Sequence, residues 1–188
     1  MDKLVIDIET KNSFADVGGQ ANITDLQISF VGVYSYNQDK FLSYTEHQLP
    51  ELTDLLKKAG LIIGFASNRF DIPVLNHHCK IDLFGLPRID LLEEVELALG
   101  QRISLDILAR TNMNVGKTHS SGLEAIRLYE EGKLDELRDY CLNDVKITRD
   151  LYELAKKQGH LLVPHRTTGE MSKAYFNLNE PIMYQTLF

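Results

Sequence analysis

A chain of 188 residues, 44% hydrophobic and 25% charged, is long enough to bury a core and reads as a soluble globular protein. Its net charge of −7 argues against tight binding of long duplex nucleic acid, because neutralising phosphates draws on Lys and Arg. No apolar run reaches the length of a membrane helix, and MDKLVIDIET lacks the basic region and cleavage site of a signal peptide. Cys79 and Cys141 form no CxxC pair, so reduced thiols in a cytoplasmic protein are expected.

In chain order, the β-branched run Lys3 to Ile8 predicts a buried strand that ends at Asp7–Glu9. A polar loop, KNSFADVGGQANITD, follows. Gln27 to Tyr36 and Phe41 to Tyr44 predict two more strands, joined at Asn37–Lys40 into an antiparallel meander with the first. Leu49 to Ala59 has helical spacing with Gly60 as C-cap, and LIIGF (Leu61 to Phe65) predicts a short parallel strand. Helices are expected over Asp71–Cys79, Leu92–Leu99, Leu105–Arg110, Gly122–Glu130 and, longest, Leu134–Lys157, with a short strand at Arg88–Leu91. Strands first, then mostly helices, is an α/β order. His160–Phe188 matches no motif; its Tyr175, Phe176, Tyr184 and Phe188 would pack back on the domain or dock a partner.

Three acidic islands stand out. Asp7 and Glu9 lie two apart on a strand and so share a face, where like charges repel unless a cation sits between them; an exposed strand end is the bland alternative. Asp71 follows the fourth strand, where open α/β sheets gather their sites, but an N-cap explains it equally well. Tyr140 and Asp144 are one helical turn apart, on the stripe that carries Leu137, Val145, Thr148 and Leu151. A carboxylate on such a core-facing stripe is costly unless paired or bound to metal; a buried Tyr–Asp hydrogen bond is the structural alternative.

Together the islands resemble the three motifs of the DEDD exonucleases, the DnaQ-like group with an RNase H fold. Asp7-x-Glu9 matches the first motif, Phe70-Asp71 before an apolar helix the second, and Tyr140-x-x-x-Asp144 the third in its tyrosine (DEDDy) form. The histidine form would need His where this chain has Asp139. Residues 116–155 also look like the small bacterial RNase H-like exonuclease proteins and, more distantly, the exonuclease domain of family B polymerases. The resemblance covers about residues 3–158, giving a domain over 1–160 and a tail over 161–188. One departure is Ala66, where many relatives carry Asn; Asn68 lies nearby.

The resemblance implies an α/β RNase H-like fold, with a central mixed sheet of three antiparallel and then parallel strands and helices on both faces. It implies a 3′–5′ exonuclease acting on single-stranded DNA or RNA ends, releasing nucleoside 5′-monophosphates with two Mg²⁺ or Mn²⁺ ions. Asp7 would bridge the ions, Glu9 and Asp144 would complete one site, and Asp71 would support the other through water. Tyr140 would orient the attacking water. Thr10, Phe14, Asn68, Phe70 and Lys117 would contact substrate, although core packing for Phe70 and simple solvation for Lys117 are the plainer roles. Two bound divalent ions would bring the net charge from −7 to −3 and make the local field positive. A catalytically silent nucleic-acid-binding or scaffold domain is the rival from another class, and an endonuclease on the same fold a third reading. Gly116-Lys117-Thr118 is not a P-loop, since Thr111 stands where Gly is required, and His77-His78-Cys79 has no second ligand pair at zinc-finger spacing.

Overall fold

The chain enters on β1 (Asp2–Thr10) and passes a 3-10 turn (Gln20–Asp25) to the hairpin β2 (Ile28–Ser35) and β3 (Lys40–Thr45). Helix α1 (Leu49–Leu56) then crosses to β4 (Ala59–Gly64), and a 3-10 turn (Ser67–Arg69) leads into α2 (Asp71–Cys79). After β5 (Arg88–Asp90) come α3 (Leu91–Leu99), α4 (Leu105–Met113), α5 (Gly122–Glu130) and the long α6 (Leu134–Gln158). A last hairpin joins β6 (His160–Pro164) to β7 (Met171–Tyr175). The structure is a computed structural model that describes residues 1–116, 122–176, 178 and 180.

Five strands form one sheet in the order β3-β2-β1-β4-β5. β1 pairs antiparallel with β2 and β2 with β3, while β4 runs parallel to both β1 and β5. This is the mixed sheet, three antiparallel strands and then parallel ones, that the resemblance implies. Alternation along β1 divides the core. Leu4, Ile6 and Ile8 pack with α1 and α2 on one face, while Val5 packs with α3, α4 and α6 on the other. The final hairpin adds Leu161, Val163 and Ala174 to that second layer. Glu180 accepts hydrogen bonds from Lys3, Tyr152 and Lys156. Among the described residues no helix is long and apolar enough to cross a membrane.

Two boundaries differ from expectation. α1 ends at Leu56, and Ala59 and Gly60 begin β4 instead of closing the helix. Strand pairing wins there: Ala59 is the partner of Asp2, whose N–H donates to the Lys58 carbonyl at 2.8 Å. The β6–β7 hairpin is absent from the sequence reading, because its Leu161-x-Val163 alternation is too short to register beside a 25-residue helix.

Gly32 sets how closely α6 can approach the sheet. A Cβ on Gly32 would stand 2.9 Å from Val145 Cγ2 and 3.0 Å from Cys141 Sγ. Both of those side chains are fully buried, so neither can swing aside. Gly32→Ala is therefore expected to cost about 1–3 kcal/mol as an overpacked contact. Urea denaturation measures it, and an unchanged midpoint would contradict this close seating of α6.

Candidate active site

The cleft forms where β1 outruns its parallel neighbour. The β1–β4 ladder ends at Val5–Ile63, but β1 continues to Thr10. Asp7 and Glu9 lie in step with Val5 and so share its α6-facing side. The register with β2 then shifts between Glu9 and Thr10, a bulge that ends regular pairing at the strand tip.

Asp71 arrives from the other side. Its Oδ1 accepts the Ile8 N–H at 2.9 Å, in the stretch of β1 that β4 no longer pairs. The N-cap alternative does not hold: Phe70 occupies the cap position of α2, without a side-chain cap, and Asp71 is the first helical residue. The chain reaches α2 through a tight turn in which Gly64 matters, since a Cβ there would lie 2.3 Å from Ser67 Oγ. Ala66 holds a left-handed conformation at φ +60°, which Asn tolerates better than Ala.

Asp90 ties this turn down. Its carboxylate accepts from Ala66 N at 2.8 Å and Asn68 N at 2.9 Å, and it also caps α3 through Leu92 N and Glu93 N. Sequence reasoning missed Asp90, although the D-x-x-E spacing to Glu93 ahead of an apolar helix was an available cue.

Helix α6 contributes Tyr140, Cys141 and Asp144. Glu9, Asp71 and Asp144 are only 8%, 4% and 3% exposed, well below what isolated carboxylates tolerate. Carboxylate oxygens of Asp7 and Glu9 and the Cys141 sulfur all lie within 4.8 Å of one another. The Cys141 thiol donates to the Asp7 carbonyl at 3.4 Å and to Asp7 Oδ2 at 3.7 Å. Burial, then the charges of Glu9, Asp144 and Asp7, hold the Tyr140 hydroxyl far above its ordinary pKa. Burial and the same three acids keep the Cys141 thiol protonated. Burial lifts Asp71 to about 7, and the charges of Asp90 and Asp144 add to it. These mutual influences join residues from β1, α2 and α6 in one place.

The Asp71 shift makes the ion-free protein sensitive to pH. A carboxyl with a raised folded pKa binds its proton more tightly in the native state. Its stabilising share is complete below the unfolded value of 3.8 and is lost as pH rises through about 7. In EDTA, the wild type should therefore lose stability between pH 5 and pH 8, and Asp71→Asn should lose less. Parallel losses in urea melts of the two proteins would refute it.

Beside the acids, a cleft of about 290 Å³ is lined by Glu9, Thr10, Phe14, Phe70, Leu123 and Ile126, among others. The rings of Phe14 and Phe70 meet edge-to-face at 5.8 Å. Asn68 is not brought to this cleft. Its amide accepts from Arg88 Nε at 2.9 Å and donates to Glu93 Oε2 at 2.5 Å, so it braces the turn. Lys117 lies outside the described residues. Asp139, at the position of the histidine form, is exposed and pairs with Arg138.

Residues 4–156 match the RNase H superfamily, in its RNase_H_2 family. The chain belongs to the RNase H superfamily. Its fold is also that of part of a family B DNA polymerase from the hyperthermophilic archaeon Pyrobaculum calidifontis, at 17% identity and a TM-score of 0.64. The likeness covers 83% of this chain and 24% of the polymerase, so the chain spans about a quarter of that enzyme. No curated protein is significantly similar to it in sequence. For this RNase H superfamily protein, membership points to nuclease chemistry on a nucleic acid.

The donor set suits the divalent ions that such nucleases use. Asp7 and Glu9 meet on β1, Asp144 on α6 acts electrostatically on Asp71 of α2, and three of these four carboxylates are buried. Oxygen donors of that kind favour hard cations such as Mg²⁺ and Mn²⁺, and a cation there offsets the cost of crowding like charges.

Proposed function

We propose that this protein is a 3′–5′ exonuclease of the DEDDy type, removing nucleoside 5′-monophosphates from single-stranded ends. The reading is supported most by the closeness of the Asp7 and Glu9 carboxylates, by the charges of Glu9, Asp144 and Asp7 that act on Tyr140, and by the charge of Asp144 that acts on Asp71. Asp7, Glu9, Asp71 and Asp144 would hold two Mg²⁺ or Mn²⁺ ions. When bound, such ions lower the pKa of water and neutralise charge on the reacting phosphate.

The chain's own groups do the rest. Tyr140 stays neutral because its burial and the surrounding carboxylates oppose ionisation, so it donates a hydrogen bond and orients the attacking water instead of abstracting a proton. Phe14 and Phe70 present an aromatic wall beside Glu9, and Thr10 lies at its edge. A cleft of about 290 Å³ suits one nucleotide base, at the lower limit of ligand pockets, and not a duplex. The acidic net charge agrees with a short strand end over long duplex DNA.

The test is incubation of DNA and RNA oligonucleotides, labelled at the 5′ end, with Mg²⁺, Mn²⁺ or EDTA. A ladder shortening from the 3′ end that needs the ion supports the reading. Internal fragments from a circular single strand would make the protein an endonuclease. Binding without cleavage under every ion would make it a silent domain.

A further inference from the structure

Cys141 is the one member of the acidic cluster that hard-ion chemistry does not use. It is fully buried on α6, seated there by the missing side chain of Gly32, and its sulfur faces the Asp7 carboxylate at 3.7 Å. A zinc ion bonds oxygen at about 2.0 Å and thiolate sulfur at about 2.3 Å, so at the tetrahedral angle those donors stand about 3.5 Å apart. The thiol–carboxylate hydrogen bond holds the sulfur and Asp7 Oδ2 at 3.7 Å, close to that spacing. Glu9 completes a triplet in which every donor atom lies within 4.8 Å of the others. Two carboxylates and one thiolate form a borderline-soft ligand set and not a magnesium set.

We propose that Asp7, Glu9 and Cys141 together bind a thiophilic divalent ion, Zn²⁺ or Cd²⁺, in competition with Mg²⁺ or Mn²⁺ for the same two carboxylates. The proposal rests on the reading of Asp7 and Glu9 as ion ligands and adds a regulation to that site. With a hard ion present, Cys141 remains a thiol donating to Asp7. With a soft ion, the sulfur–metal bond forms and the thiol proton leaves to solvent. The soft ion then keeps Asp7 and Glu9 from the hard ions, and the hydrolytic centre is closed.

Cadmium is the probe, because its thiolate complexes absorb in the near ultraviolet. The wild type, titrated with Cd²⁺ after loading with Mn²⁺, is expected to show that absorption while free Mn²⁺ appears in the paramagnetic resonance spectrum. Cys141→Ser keeps a small polar side chain; it should lose the absorption and bind Cd²⁺ about ten- to a hundredfold more weakly. Its Mn²⁺ affinity should stay within about threefold of wild type. Cys79→Ser, which alters the buried thiol on α2 outside the triplet, should keep the absorption.

Absorption that survives in Cys141→Ser, or that appears in the wild type without Mn²⁺ release, would overturn the inference. So would Cd²⁺ that displaces Mn²⁺ from the wild type with no thiolate absorption, an outcome that leaves the functional reading intact. A wild type that takes Cd²⁺ through Cys141 but never binds Mn²⁺ would overturn the competition together with the reading beneath it. Thermal melting of each variant in EDTA establishes that it is folded.

Discussion

Asp7→Asn and Asp144→Asn are each expected to reduce hydrolysis by roughly a thousandfold or more, at least the upper range for losing one electrostatic stabiliser of a transition state. The two residues come from different elements. Asp7 stands on β1 within reach of Glu9, and Asp144 on α6 within the electrostatic reach of Asp71 and Tyr140. Asparagine keeps the shape of each side chain and removes its negative charge, so the loss should fall on ion binding and not on packing. Mn²⁺ titration calorimetry should accordingly show weaker binding or altered stoichiometry in both variants. In EDTA neither should melt lower than the wild type, because the substitution removes one of several crowded like charges. Wild-type stoichiometry and affinity for Mn²⁺ in Asp7→Asn would contradict the assignment, whatever its activity.

Tyr140→Phe separates catalysis from packing at a single oxygen. The ring belongs to a cluster with Phe30, Ala125, Leu128, Leu137 and Cys141, and phenylalanine preserves those contacts. If the hydroxyl orients the attacking water, single-turnover cleavage should fall roughly ten- to a thousandfold, the scale of one positioning hydrogen bond. Mn²⁺ affinity and oligonucleotide binding should stay near wild type, because neither is assigned to that oxygen. A purely structural Tyr140–Asp144 hydrogen bond makes the opposite forecast, namely a lower melting temperature with near-normal activity per folded molecule. Both quantities can be read on one preparation, and a destabilised but fully active variant would end the catalytic role.

The pH profile of the ion-free protein adds an independent view of the same crowding. Asp71 is lifted by burial first and by Asp90 and Asp144 second. Its sensitivity therefore belongs to the assembled cleft, which no peptide containing Asp71 alone would reproduce.

Local sequence carried more of this protein than its length suggests. Alternation along β1 places Leu4, Ile6 and Ile8 on one face and Asp7 and Glu9 on the other, because successive strand side chains point to opposite sides. The 3.6-residue period of α6 puts Tyr140 and Asp144 on its buried stripe before any partner for that stripe is known. Strand alternation was enough for the β1–β2–β3 meander and the short apolar run of β4 for a parallel strand, while the RNase H-like arrangement of the sheet came from the resemblance.

Distances between elements were another matter. Cys141 read only as a reduced thiol, since nothing near it in sequence reveals that Gly32, across the sheet, lets α6 sink until the sulfur meets Asp7. Asp71 could be a cap or a site residue until the structure placed its carboxylate on Ile8, 63 positions away. Asn68 looked free to face substrate, but Arg88 and Glu93 claim its amide. Gly60 looked like the end of a helix, but the pairing of Ala59 with Asp2 drew that segment into β4. Periodicity tells a residue which face it occupies, because backbone geometry repeats locally. Which other face it meets, and how closely, depends on side-chain volumes contributed by distant segments, and only the packed tertiary structure brings those together.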